Sequence, residues 1–206
     1  MAKKIFSRHA AELSAVVGLL CAIFTSMAHF EAACDDLRQN VLRLHIIANS
    51  DSEEDQAVKL LVRDKILAET SDIFTGETEL EKAEEKAAER LDEFCKTAEE
   101  VLSEKGFSYG ANAEIGDSYF ETREYEDFTL PAGNYRSLII RLGDAKGKNW
   151  WCVIFPTVCI PAASEASLSD SVEVTSAEIA EHPQKYVMRF KTVEIYEDLK
   201  KFLKNK

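Results

Sequence analysis

Residues 13–24 form an apolar run of about 12 residues behind Lys3, Lys4 and Arg8, and no other feature limits the chain so strongly. A basic flank, an apolar stretch and small residues at Ser26 and Ala28 are the parts of an export signal with a cleavage site. The apolar character continues through Met27, Ala28 and Phe30, which brings the segment near the roughly 20 residues that cross a bilayer. Residues 1–30 therefore read as a signal peptide or as an uncleaved membrane anchor. Under both readings the basic end stays cytoplasmic, and the chain beyond about residue 34 lies outside the cytoplasm. A buried helix of a soluble protein fits less well, because residues 15–24 offer no polar face.

Export changes how the five cysteines are read, since thiols outside the cytoplasm can pair. Cys21 belongs to the apolar run. Cys34 follows Glu31, Ala32 and Ala33, a poor match to a lipoprotein cleavage box. Cys95 sits in a strong helical pattern and reads as a small buried hydrophobe. Cys152 and Cys159, with Pro156 between them, are a candidate disulfide that spacing alone leaves open. His9, His29, His45 and His182 are scattered and no Cys-x-x-Cys pair occurs, so zinc is not indicated.

The formal charge of -12 argues against nucleic-acid binding, which needs a basic stripe. Nearly all of the excess lies in residues 51–104, with 18 acidic and 7 basic side chains, and reads as a solvated helical half. Residues 185–206 carry 7 basic and 3 acidic residues and suit an amphipathic terminal helix able to dock, or to meet a membrane or partner. Between them, residues 161–184 are rich in Ala, Ser and Glu and predict a loose acidic segment.

Residues 41–48 alternate Arg43 and His45 with Leu42, Leu44 and Ile46, the period of a half-buried strand. Ser50 and Glu53 have the spacing of a capping box, and a helix to about residue 69 follows, with Val58, Leu61, Val62 and Ile66 inward and Lys59, Arg63 and Lys65 outward. A longer helix spans about residues 77–105 and stops at Gly106. Strands are expected at 107–115, 119–125, 135–142 and 150–155, the last two as a hairpin with a polar tip at 143–149. The element order predicts an α+β fold: an antiparallel sheet of about four to five strands with two or three helices packed on one face, preceded by the hydrophobic signal or anchor helix.

The passage Arg43-Leu44-His45-Ile46-Ile47-Ala48-Asn49-Ser50-Asp51-Ser52, continuing through Asp55-Gln56 and Val62-Arg63-Asp64, resembles the stage II sporulation protein R family. A second block agrees: Leu130-Pro131-Ala132-Gly133 with Tyr135, then Gly147-Lys148-Asn149-Trp150-Trp151-Cys152-Val153 and Phe155-Pro156 leading to Cys159. The likeness covers about residues 38–160, and departs from the family pattern at Thr157 and Val158, where Pro and Leu are expected. It implies a messenger made in the forespore and exported across its membrane into the space between forespore and mother cell. There it triggers a membrane-embedded aspartic protease that matures the sigma-E precursor. It implies no enzymatic activity of the messenger itself, no cofactor and no nucleic-acid partner, and leaves the oligomeric state open.

Two surfaces are candidates for partner binding. One is the strand end with Arg43, His45, Asn49, Asp51, Asp55 and Gln56, though turn-forming, capping and ion pairing would account for these residue types equally well. The other is the tip and following strand, with Lys148, Asn149, Trp150 and Trp151, since tryptophan often anchors interfaces. Adjacent strand residues face opposite ways, so at least one tryptophan is expected in the core. Rival classes are an exported hydrolase acting on cell-wall material, for instance through Cys152 with His45, and a structural protein of the spore envelope.

Overall fold

Helix α1 (Ala2–Gln39) carries the apolar run directly into the folded part of the chain. The computed structural model describes residues 2–74, 79–125, 128–156 and 171–204. Leu13, Val16, Leu20 and Phe24 stand in the open, whereas Phe30, Cys34 and Leu37 of the same helix are buried. The helix is long and apolar enough to cross a membrane by length and composition, which fits a signal or an anchor.

Strand β1 (Leu42–Ile47) follows after a short break, then helices α2 (Glu53–Ile73), α3 (Leu80–Glu89) and α4 (Leu91–Glu104). Strands β2 (Ala111–Phe120), β3 (Arg123–Glu124), β4 (Thr129–Leu130), β5 (Gly133–Leu142) and β6 (Asn149–Phe155) come next. Helix α5 (Val174–Glu181), a 3-10 turn (Pro183–Lys185) and helix α6 (Val187–Lys204) close the chain. The α+β class is as the sequence predicts, with four strands in the main sheet, ordered β2-β5-β1-β6.

The expected antiparallel hairpin of β5 and β6 does not form. Strand β1 lies between them, parallel to β5 and antiparallel to β6, so the sheet is mixed. Apolar burial explains the insertion: Leu42, Leu44 and Ile46 on one face of β1 join Leu138, Ile140 and Leu142 of β5 and Cys152 and Ile154 of β6 in the main core under α2 and α4. The opposite face is covered too, contrary to a one-faced packing. Phe120, Tyr135 and Val153 meet Leu37 of α1, Phe128 and Leu130 of the β3–β4 hairpin, and Ala177 and Ala180 of α5.

Three further expectations shift. The helix read over 77–105 breaks at Arg90 (φ −112°, ψ 15°) into α3 and α4. The strands read at 107–115 and 119–125 become the single β2, followed by the small hairpin. Residues 171–184, read as loose, contain α5, whose Ser176, Ala177, Ile179 and Ala180 are buried; small side chains there permit close packing on α1 and the sheet rather than looseness.

Candidate functional site

Strand alternation sorts the first candidate surface. Arg43 and His45 project away from the main core, toward the face shared with Ser118, Phe120, Tyr135 and Trp151. Arg43 is 0% exposed. Its guanidinium lies 3.7 Å from the Phe120 ring centroid and 4.9 Å from that of Tyr135, and Nη2 donates to Tyr125 Oη at 2.6 Å. Aromatic faces partly offset the cost of burying a cation, and they surround Arg43 in place of the ion pair that was one reading of it. Tyr125 reaches Arg43 because it and Phe128 stack at 4.6 Å in the β3–β4 hairpin, which folds over the guanidinium. As a direct partner contact Arg43 is thus corrected: burial leaves it no surface.

His45 is half-buried. Nδ1 is 3.1 Å from Ser118 Oγ and Nε2 is 3.0 Å from Asn149 Oδ1. Burial lowers its pKa from the ordinary 6.5, the Asn149 contact opposes this, and the positive charges of Arg141 and Arg43 add to the lowering. Cys152 pairs in register with Leu44 and enters the main core on the other side of the sheet, so it cannot serve His45 as a thiol nucleophile. Its candidate disulfide partner, Cys159, lies outside the described residues.

Asn49, Asp51, Asp55, Gln56 and Lys148 gather into one clamp at the C-terminal end of β1. Asp55 is its hub, 5% exposed. It accepts from Asn49 Nδ2 at 2.9 Å, Ser50 Oγ at 2.5 Å and Tyr109 Oη at 2.5 Å. Burial opposes its ionisation, but the hydrogen bonds from Ser50, Tyr109, Asn49 and Ser52 prevail and hold its carboxyl below the ordinary range. The capping role falls to Ser52, not Ser50: Ser52 Oγ accepts from the Asp55 amide at 3.1 Å. Ser50 is drawn off to donate to the Asp55 carboxylate and to accept from the Ser52 amide.

The clamp fastens the 143–149 connection to β1. Asn49 Oδ1 accepts from the Asp144 amide at 2.9 Å and Asp51 Oδ1 from the Lys148 amide at 2.7 Å. Gly147 N donates to Ala48 O at 2.9 Å. A Cβ at Gly147 would collide with the Ser50 carbonyl, so only glycine lets the two backbones approach this closely. Lys59, expected in water, is buried; Nζ donates to Gln56 Oε1 at 2.6 Å and Lys148 O at 2.9 Å. Burial, opposed by Asp51, lowers its pKa. Leu61, expected inside, is exposed.

The tryptophans face opposite ways. Trp150 packs against the main core with Arg63 over its ring at 4.4 Å; Trp151 joins the Arg43 side with Arg123 at 4.5 Å. The exposed side chains of the assembled site are Asp51, Lys148 and Asn149, beside half-buried His45, Asn49 and Gln56. Tyr109, Lys59, Tyr125 and Phe120 escaped sequence reasoning. Only Lys59 carried a local signal, its three-residue spacing from Gln56 on a helix. No group of three or more His, Cys, Asp or Glu among the described residues is placed to hold a metal.

The family model described as stage II sporulation protein R matches residues 38–165. The chain is similar to Stage II sporulation protein R of Bacillus subtilis (strain 168), 35% identical over 118 residues, covering 57% of this chain and 53% of that relative. The chain thus spans about half the length of the relative it matches. No solved structure matches it. The matched region contains β1, the clamp, the aromatic cover of Arg43 and the whole main sheet. A family match over more than half of the chain carries a role in sporulation with it, and the chain belongs to the stage II sporulation protein R family.

Proposed function

We propose that the protein is an exported, non-enzymatic messenger of sporulation, passed across the forespore membrane to activate a membrane-embedded aspartic protease that processes the sigma-E precursor. One observation carries this reading beyond the family resemblance. The two family blocks, far apart in sequence, are locked together by Asp51, Asn49 and Lys59 and present Asp51, Lys148 and Asn149 along one sheet end. A rigid, polar epitope of this kind suits a ligand that must bind the active protease state more tightly than the inactive one. The opposite orientations of Cys152 and His45 count against the thiol-hydrolase alternative.

The test is coexpression of the chain with its protease and the sigma-E precursor in a non-sporulating host. Precursor processing is expected to depend on the chain, and Lys148→Ala with Asn149→Ala is expected to reduce it at least tenfold without changing the melting temperature by more than a few degrees. Undiminished processing by the double variant would remove the epitope from the reading. Processing that is indifferent to the chain would remove the messenger role itself.

A further inference from the structure

The C-terminal helices form a hairpin whose turn is directed toward the apolar run. Helix α5 starts beside Asp36, whose Oδ2 accepts from the Glu173 amide at 2.9 Å, and runs back along α1 so that Ile179 joins Phe30 and Phe190 in one cluster. After the 3-10 turn, α6 begins at the same level: Arg189 Nη2 donates to Ser26 Oγ at 2.9 Å. The far end of α6 returns to the sheet, where Tyr119 Oη donates to Asp198 Oδ1 at 3.3 Å. Residues 182–188 therefore sit where α1 leaves the folded region.

A cleft of about 550 Å³ opens there, lined in part by Ala22, Thr25, Ser26, His29, Tyr186 and Arg189. The Arg189 guanidinium is steered by the rings of Tyr186 at 5.5 Å and Phe30 at 5.9 Å, and no carboxylate among the described residues forms an ion pair with it. Residues 185–191 contain three basic and no acidic side chains. Val187 and Met188 beside them are 60% and 80% exposed. Exposed apolar side chains next to basic and aromatic groups are the composition of a membrane-water interface. Ala22 belongs to the bare apolar run, so the cleft spans the level at which a bilayer around residues 13–24 would end.

We propose that this cleft binds the phosphodiester headgroup of an anionic phospholipid in the membrane that α1 enters. Arg189 faces the phosphate with its remaining N–H groups and carries the charge recognition, since Lys185 pairs with Glu178 at 3.9 Å and Lys191 with Glu194 at 2.9 Å, and Val187 and Met188 enter the acyl boundary. The inference rests on the uncleaved reading of α1, because a cut after Ala28 would remove Ala22, Thr25 and Ser26 from the cleft.

The test uses the full chain in detergent micelles, with its intact mass recorded first to show that residues 1–28 are present. Native mass spectrometry then compares retention of phosphatidylglycerol and phosphatidylcholine. At least fivefold preference for phosphatidylglycerol is expected, abolished by Arg189→Gln and largely kept by Arg189→Lys. Thr175→Trp, which fills the cleft from an exposed position of α5 that also lines it, provides a second variant and should also abolish the preference. Equal retention of the two lipids, or a preference unchanged in both Arg189→Gln and Thr175→Trp, overturns the site. Equally strong competition by glycerol 3-phosphate overturns the lipid assignment in favour of a soluble phosphate. A mature chain trimmed at residue 28 overturns the anchor reading, and its mass separates that result from failure of the site.

Discussion

Asp55 shows how one carboxylate can hold together segments that are distant in sequence. Losing its charge while keeping its shape, as in Asp55→Asn, is expected to cost about 2 kcal/mol, the range for hydrogen bonds to charged groups, measurable by urea unfolding. Because its folded pKa lies below the ordinary value near 3.9, its contribution is present above about pH 4 and lost as pH falls through the folded value. The acid limb of the stability curve should shrink in the variant. His45 acts at higher pH. Its depressed pKa means that the folded state resists protonation, so stability is full above about pH 6.5 and declines as pH falls through the folded value. An NMR titration should place the His45 midpoint below 6.5, and His45→Gln should flatten stability between about pH 7 and 5; a midpoint above 6.5 would contradict the role given to burial and to Arg141 and Arg43. Sequence alone picked out both residues. It did not show their partners, because Tyr109 and Ser118 arrive from strand and loop regions more than fifty residues away.

Period-two alternation made the strand elements legible. It placed Leu42, Leu44 and Ile46 on one face and Arg43 and His45 on the other, as the structure has them. Pairing was less legible, since proximity in sequence made β5 and β6 look like a hairpin while the buried backbone of β1 finds hydrogen-bond partners along both of its edges. The long helical period likewise gave no sign of its interruption at Arg90, where ψ opens to 15°. The 143–149 connection consequently bridges the end of β1 and does not form a free tip. Gly147→Ala should cost more than about 1 kcal/mol in chemical denaturation, since the added methyl has to displace the Ser50 carbonyl. An unchanged midpoint would mean that the clamp can open without consequence for the fold.

For the molecule as a whole, the apolar N-terminal run and the segment that packs into the folded region are parts of one helix. The sequence revealed the signal or anchor character of residues 1–30 but not that Phe30, Cys34 and Leu37 continue the same helix into two cores. Their burial depends on α5 and α6, whose small and amphipathic side chains read locally as loose chain or as a free helix. Leu37→Ala should cost about 3 kcal/mol, as for other fully buried leucines, in a thermal or denaturant melt. A cost below about 1 kcal/mol would show that α1 contributes little to the fold it enters.

The unbroken course of α1 has a mechanical consequence. A helix rises 1.5 Å per residue, so Gln39 stands about 22 Å beyond Phe24 along a single stiff rod. In the uncleaved chain such a rod transmits tilt and rotation from the bilayer to the sheet, with no flexible tether to absorb them. The clamp is then displayed at a set height and compass bearing, so the partner proposed above would meet an oriented ligand rather than one that must search through its own tumbling.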